Sequence, residues 1–100
     1  MRTVGARIRD TRLAKGMTQR QLGERAGVGV PYISGIETGK ERAGETVLQR
    51  IALALDIDPD ELTIAAGRIP AYLLDPLVRH PGEAVATLRS FARTAEGWRP

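Results

Sequence analysis

Several features that define large classes of proteins are missing from this sequence of 100 residues. It contains no cysteine, which excludes disulfide bonds and cysteine-ligated metal sites. No apolar run approaches the roughly 20 residues that a membrane-spanning helix requires. Arg2 is not followed by the apolar segment of a secretory signal, so we expect no signal peptide and no association with a membrane.

Residues suited to catalysis or cofactor binding are also scarce. His80 is the single histidine, and no cluster of metal-ligating side chains lies beside it in the sequence. We therefore interpret His80 as a surface residue near a helix end. There is no phosphate-binding glycine motif and no carboxylate pair at a spacing typical of acid–base catalysis. The sequence predicts no enzyme activity, no metal site and no cofactor.

Charge is unevenly distributed along the chain. Residues 1–50 contain ten Lys or Arg and five Asp or Glu, a net charge of +5, whereas residues 51–100 contain five and seven, a net charge of −2. A basic first half favours a polyanionic partner. A modest excess of charge is, however, equally typical of an ordinary solvated surface.

Residues 18–40 have the pattern of two short helices joined by a glycine turn. Thr18 is a good N-cap residue, and Gln21, three residues later, can complete a capping box. These signals predict a helix over 19–26. Gly27 is well placed to end it, because glycine readily adopts the left-handed conformation.

The second helix of this pair is predicted over 30–38. Pro31 falls in its first turn, where the missing N–H of proline does no harm. Two helices joined by a turn of three to four residues have the layout of a helix-turn-helix, whose second helix enters the major groove of DNA.

Hydrophobic periodicity and capping signals predict the remaining helices. Their predicted ranges are 3–15, 45–55, 59–66, 70–80 and 82–94. In the first of them, Val4, Ile8 and Leu13 are expected to face the core. Pro76 is expected to break or kink the helix over 70–80, and the last residues, including Trp98, are expected to fray.

Further residues around the paired helices have the identities and spacings of a known family of DNA-binding domains. They are Ile8-Arg9 with Arg12, Met17-Thr18-Gln19, Leu22, Ala26-Gly27-Val28, Tyr32-Ile33-Ser34, Ile36-Glu37-Thr38-Gly39-Lys40, and Leu48 with Ile51-Ala52 before Leu55. With these residues, the segment 4–62 resembles the helix-turn-helix domain of the phage Cro and CI repressors, often called the XRE family. The resemblance implies a five-helix lambda-repressor-like DNA-binding domain, which we place over 1–67. The helices predicted after Gly67 add a C-terminal extension of one to two helices over 68–100, so we expect an all-α chain. The resemblance also implies a cytoplasmic, nucleoid-associated protein that binds double-stranded DNA and regulates transcription.

The resemblance implies DNA contacts from three groups of residues. They are Thr18, Gln19 and Arg20 at the start of the first paired helix, Val30, Pro31, Tyr32, Ser34 and Gly35 on the second, and Lys40 and Arg42 in the loop that follows. Val30 and Pro31 offer only apolar contacts, so we expect sparse direct readout of bases, supplemented by DNA shape and water. The alternative for Gln19, Ser34, Lys40 and Arg42 is an ordinary surface position, and the alternative for Tyr32 is packing within the domain. Arg12 and Glu37 match positions that form a structural ion pair in the related repressors.

Residues 68–100 have more apolar side chains than two helices in contact only with each other need. We predict a homodimer interface formed by Leu73, Leu77, Val85, Leu88 and Phe91, and hence a repressor that binds a palindromic operator. One alternative is that this apolar face packs against helices 1 and 5 as additional core. Another is that it binds a protein partner, which would make the chain the DNA-binding antitoxin of a toxin–antitoxin pair.

Overall fold

The fold is built from helices throughout the part of the chain that the structure describes. The computed structural model describes residues 3–97, which contain seven helices and no strand. They are α1 Val4–Ala14, α2 Gln19–Ala26, α3 Val30–Thr38, α4 Glu45–Ala54, α5 Pro59–Ala65, α6 Ala71–Arg79 and α7 Pro81–Glu96. The predicted all-α chain with one to two C-terminal helices is confirmed. The predicted fraying at Trp98 lies outside the described residues.

One unbroken helix, α6, spans Pro76, where the sequence suggested a break or a kink. A proline inside a helix removes one backbone hydrogen bond to the residue four positions earlier. The helix nevertheless continues beyond it, since the His80 N–H donates to the Pro76 carbonyl at 3.0 Å. Pro81 then opens α7 at its first position, where the missing N–H removes no helical bond.

The hydrophobic core lies among α1 to α5. Each of these helices contributes to one cluster, because apolar residues three and four positions apart share a helix face. Fully burying one such side chain contributes about 1.5–3 kcal/mol. The largest fully buried side chains are Ile8, Leu22, Ile33, Leu48, Ile51, Leu55 and Leu62.

The buried face of α1 differs from the sequence prediction. Leu13 is 52% exposed, although it was expected to face the core. The buried residues of this helix are Gly5, Ile8 and Arg12, which follow helical spacing. The prediction was wrong because it assigned Leu13 to the buried face on its apolar character alone, whereas that face is occupied by Arg12 through its pair with Glu37.

Two ion pairs tie α1 to later parts of the domain. Arg7 contacts Glu61 in α5, and the Lys15 ammonium donates to the Asp56 carboxylate at 2.9 Å. The hydrogen bond from Lys15 lowers the pKa of Asp56 below its usual value. Both pairs are accessible to solvent, so their contribution to stability is small.

Contacts divide the chain into two units, Met1–Ile69 and Pro70–Pro100. In the second unit, α6 and α7 contact each other, yet neither contains a buried residue. Its large exposed apolar side chains include Leu73, Leu74, Val78, Val85, Leu88 and Phe91. Within residues 3–97, no helix combines the length and the apolar composition needed to cross a bilayer.

Helices α1 and α3 approach so closely that the contact requires a glycine. A Cβ atom on Gly5 would overlap the carbonyl oxygen of Ile36 and would lie 2.7 Å from that of Glu37. Both obstacles are backbone atoms of α3, which cannot move without shifting the whole helix.

We expect Gly5→Ala to destabilise the domain by about 1–3 kcal/mol, because overpacking outweighs the better helix propensity of alanine. Gly82→Ala is the matched control, since a Cβ there meets nothing within 4 Å. Urea unfolding followed by circular dichroism measures the difference. A Gly5→Ala midpoint equal to or above that of the unmodified chain would contradict the close approach.

Candidate nucleic-acid interface

The turn between α2 and α3 is specified by local capping and by glycine. The predicted capping box is confirmed: Thr18 Oγ1 accepts from the Gln21 N–H at 3.0 Å, and Gln21 Oε1 accepts from the Thr18 N–H at 2.9 Å. Gly27 ends α2 with φ of 74°, in the left-handed region that favours glycine. The turn then folds back on α2, and a Cβ on Gly23 would lie 2.6 Å from the Val28 carbonyl oxygen.

Helix α3 has one face in the core and one face directed outward. Its apolar inner residues, Ile33 and Ile36, are buried together with Glu37. By helical spacing, Pro31, Ser34, Gly35 and Thr38 lie on the opposite side of α3, which is directed outward.

A buried polar network fixes the inner face of α3 to α1 and α2. Arg12 donates to both carboxylate oxygens of Glu37, from Nε at 2.7 Å and from an Nη at 3.0 Å, and their side chains are only 8% and 2% exposed. The second Nη of Arg12 donates to the Met17 carbonyl at 2.8 Å, and Gln19 Nε2 donates to Glu37 Oε1 at 3.2 Å. A bidentate pair of this kind imposes a defined geometry. The network therefore sets how α3 sits relative to the two preceding helices.

The start of α2 presents donors to solvent. Thr18 and Arg20 are exposed, whereas the side chain of Gln19 is held by Glu37. The backbone N–H groups of Gln19 and Arg20 lie in the first helical turn, where no intrahelical acceptor exists. Such a helix end attracts anions because the helix dipole places a partial positive charge there.

The loop after α3 places two cations beside its C-terminal end. Gly39 ends α3 with φ of 84°, and Lys40 and Arg42 follow as exposed residues. Neither cation forms an ion pair within residues 3–97. Tyr32 is half-buried, and its hydroxyl lies 3.4 Å from the Arg42 carbonyl oxygen, so it contacts this loop.

Gly35, one of the predicted DNA contacts, is not open to solvent. It is buried although it lies on the outward side of α3, because the side chain of Glu41 covers it. Glu41 was not recognised from the sequence. The only available signal was a glycine in the middle of an outward helix face, which leaves room for another side chain without indicating which one fills it.

The predicted site residues therefore fall into two sets. The DNA-binding candidates and the Arg12–Glu37 pair lie in the first unit, around α2, α3 and the loop after α3. The dimerisation candidates lie on α6 and α7. Residues 3–97 contain no group of three or more His, Cys, Asp or Glu side chains arranged to hold a metal ion.

Comparison with known proteins identifies this arrangement. The sequence signature of a helix-turn-helix family matches residues 8–62, which span helices α2 to α4 and parts of α1 and α5. The chain belongs to this helix-turn-helix family. It is of the XRE type, related to the phage Cro and CI repressors.

Two helix-turn-helix relatives and one solved structure illustrate the relationship. An uncharacterized transcriptional regulator of Mycobacterium tuberculosis is 40% identical over 63 residues, which are 63% of this chain and 45% of that protein. Another, from Sinorhizobium fredii, is 41% identical and covers 90% of this chain and 71% of its own length. The P22 c2 repressor, solved with a synthetic operator, is 31% identical with a TM-score of 0.59, covering 62% of this chain and 94% of the repressor. The chain thus spans about half the length of the mycobacterial relative that it matches.

The buried network of this helix-turn-helix domain predicts a strong effect of removing one partner. We expect Arg12→Met to destabilise the domain by about 3–5 kcal/mol, because Glu37 would remain buried without its cation. The double variant Arg12→Met, Glu37→Leu should recover much of that loss, since an apolar pair needs no counter-charge. Urea unfolding of both variants measures the two effects.

Lys15→Met is the control for this experiment, because it breaks an exposed pair and should change stability little. A single Arg12 variant as stable as this control would show that the buried pair contributes nothing.

Proposed function

We propose that this chain is a sequence-specific transcriptional repressor that binds a palindromic operator as a homodimer. The observation that carries the proposal is the asymmetry of α3, whose inner face is fixed by the Arg12–Glu37 pair while Pro31 and Thr38 on its outward side are exposed. A helix held in this way can enter the major groove without rearrangement of the domain. Repression would follow where the operator overlaps a promoter.

Affinity in this proposal comes mainly from phosphate contacts. The free N–H groups at the start of α2 and the side chain of Arg20 bind one phosphate group. Lys40 and Arg42, in the loop that follows α3, bind phosphate groups beside its C-terminal end. The absence of competing ion pairs for these cations within residues 3–97 supports this assignment, because no acidic side chain there must first be displaced.

Direct contacts to bases come from Val30, Pro31 and Ser34. The first two can pack against a thymine methyl group, and the Ser34 hydroxyl can bond to more than one base. This is a small set for a recognition helix. Part of the sequence preference therefore arises from the shape and deformability of the operator and from bridging water.

Substitution of Arg42 tests the phosphate contacts. We expect Arg42→Ala to weaken binding to all duplexes similarly and to reduce the slope of log K against log salt by about 1, because one phosphate contact is lost. Fluorescence anisotropy at several salt concentrations measures both quantities.

Arg25→Ala is the matched control, since it removes the same charge from an exposed position close to Asp56. If affinity and slope change equally in the two variants, Arg42 has no specific role in DNA binding.

The homodimer in this proposal forms through α6 and α7. These helices contain no buried residue, and Leu88 and Phe91 are 50% and 68% exposed. An exposed apolar surface of this kind is typical of a protein interface. A second copy of the chain would cover it and would place two α3 helices about 34 Å apart, on successive turns of the DNA.

Charge introduced into this face tests the homodimer. We expect Leu88→Glu with Phe91→Glu to convert a dimer into a monomer in sedimentation experiments, because two carboxylates would have to be buried. Ser90→Glu is the control, since by helical spacing it lies on the opposite side of α7. An unmodified chain that sediments only as a monomer would contradict the homodimer.

The same apolar face favours a second candidate function. A toxin could cover it in place of a second copy, and the chain would then be the DNA-binding antitoxin of a toxin–antitoxin pair. Co-purification of a small toxic protein in a stoichiometric complex, abolished by the Leu88 and Phe91 substitutions, would distinguish this function from the homodimer.

A further inference from the structure

Glu41 occupies the middle of the outward face of α3, although it lies in the following loop. A Cβ atom on Gly35 would be 2.5 Å from Cγ and 3.1 Å from Cβ of Glu41, so the stem of the glutamate fills the space of the missing side chain. The Glu41 N–H donates to the Gly35 carbonyl at 3.0 Å, which fixes the backbone of the loop at the same place. Glycine at position 35 therefore leaves the space in which the side chain of Glu41 packs.

The carboxylate of Glu41 remains available for a ligand. Glu41 is an exposed residue, and its carboxylate has no hydrogen-bond or ion-pair partner within residues 3–97. The other acidic residue of this region, Glu37, is buried and fully engaged by Arg12 and Gln19. A negative charge on a surface that faces phosphate groups weakens binding unless it gains a specific donor.

The donor that fits is defined by the base edges in the major groove. Guanine presents two acceptors there and thymine presents one acceptor and a methyl group, so both repel or exclude a carboxylate. Adenine places its N7 acceptor beside its amino group. Cytosine presents the N4 amino donor without an adjacent acceptor of its own.

We propose that Glu41 is a specificity-determining residue that accepts a hydrogen bond from cytosine N4 in the major groove. This inference rests on the proposed DNA-binding function and adds a direct polar readout to the small set on α3. It also gives Gly35 a positioning role, because any larger residue there would displace the stem of Glu41.

Selection from a randomised duplex library, followed by affinity measurement on single-base variants of the selected site, tests this assignment. We expect the unmodified chain to select cytosine at one position and to bind the best alternative base there about tenfold more weakly. In Glu41→Gln the preference should disappear, because the amide offers both a donor and an acceptor. Its affinity for unselected duplex should rise, because a charge of the same sign as the phosphates has been removed.

Two further variants distinguish the effect of the position of the Glu41 side chain from the effect of its charge. Gly35→Ala keeps the carboxylate of Glu41 but displaces its side chain from the surface of α3, so the preference for cytosine should fall. The domain should remain folded, because alanine favours a helix. Glu24→Gln removes one negative charge from an exposed residue of α2 and should leave the preference unchanged.

The outcomes distinguish this assignment from the function on which it rests. Binding to no duplex by the unmodified chain would overturn both. Normal binding with the same base selected by the unmodified chain and by Glu41→Gln would overturn the role of Glu41 alone, as would selection of a base other than cytosine at the affected position.

Discussion

The rest of the structure depends on the ion pair between Arg12 and Glu37. Burial of two charges is unfavourable unless each is paired and its remaining donors and acceptors are satisfied. Here both carboxylate oxygens accept from Arg12, Gln19 adds a third donor to the carboxylate, and the Met17 carbonyl accepts a further bond from the guanidinium. An apolar contact would tolerate rotation of α3, whereas this geometry does not. The outward direction of α3 is consequently set by groups on its opposite side.

Local signals allowed much of the fold to be predicted from the sequence. The capping box at Thr18 and the left-handed Gly27 depend on a few neighbouring residues, whose chemistry is visible in the sequence. Leu13 was misplaced because its apolar character was given more weight than the pair between Arg12 and Glu37, 25 residues away, which the resemblance implied and which occupies the buried face. The close contacts of Gly5 and Gly35 could not be predicted either, because they also depend on residues that are not their neighbours in the sequence. Nothing adjacent to either glycine indicates which backbone or side chain packs against it.

The surface around α3 combines small and apolar residues with charged side chains. Free N–H groups and Arg20 lie at the start of α2, Lys40 and Arg42 lie in the loop after α3, and the outward face of α3 carries Pro31, Ser34 and the side chain of Glu41. The cations suit the phosphate groups that flank a groove, whereas in the middle of the outward face Glu41 covers Gly35 and presents its own side chain. The second unit has a different character, since its exposed side chains on α6 and α7 are largely apolar.

The placement of α3 against DNA can be measured directly by mapping amide chemical shifts of the isotope-labelled chain during titration with duplex at low salt. If the outward face of α3 enters the major groove, the largest shifts fall on the start of α2, on Pro31-flanking amides of α3 and on the loop containing Lys40 and Arg42. The amides around the buried Arg12 should shift little, because the network holds the domain unchanged. Shifts confined to α6 and α7, or no shifts at any duplex concentration, would contradict this placement.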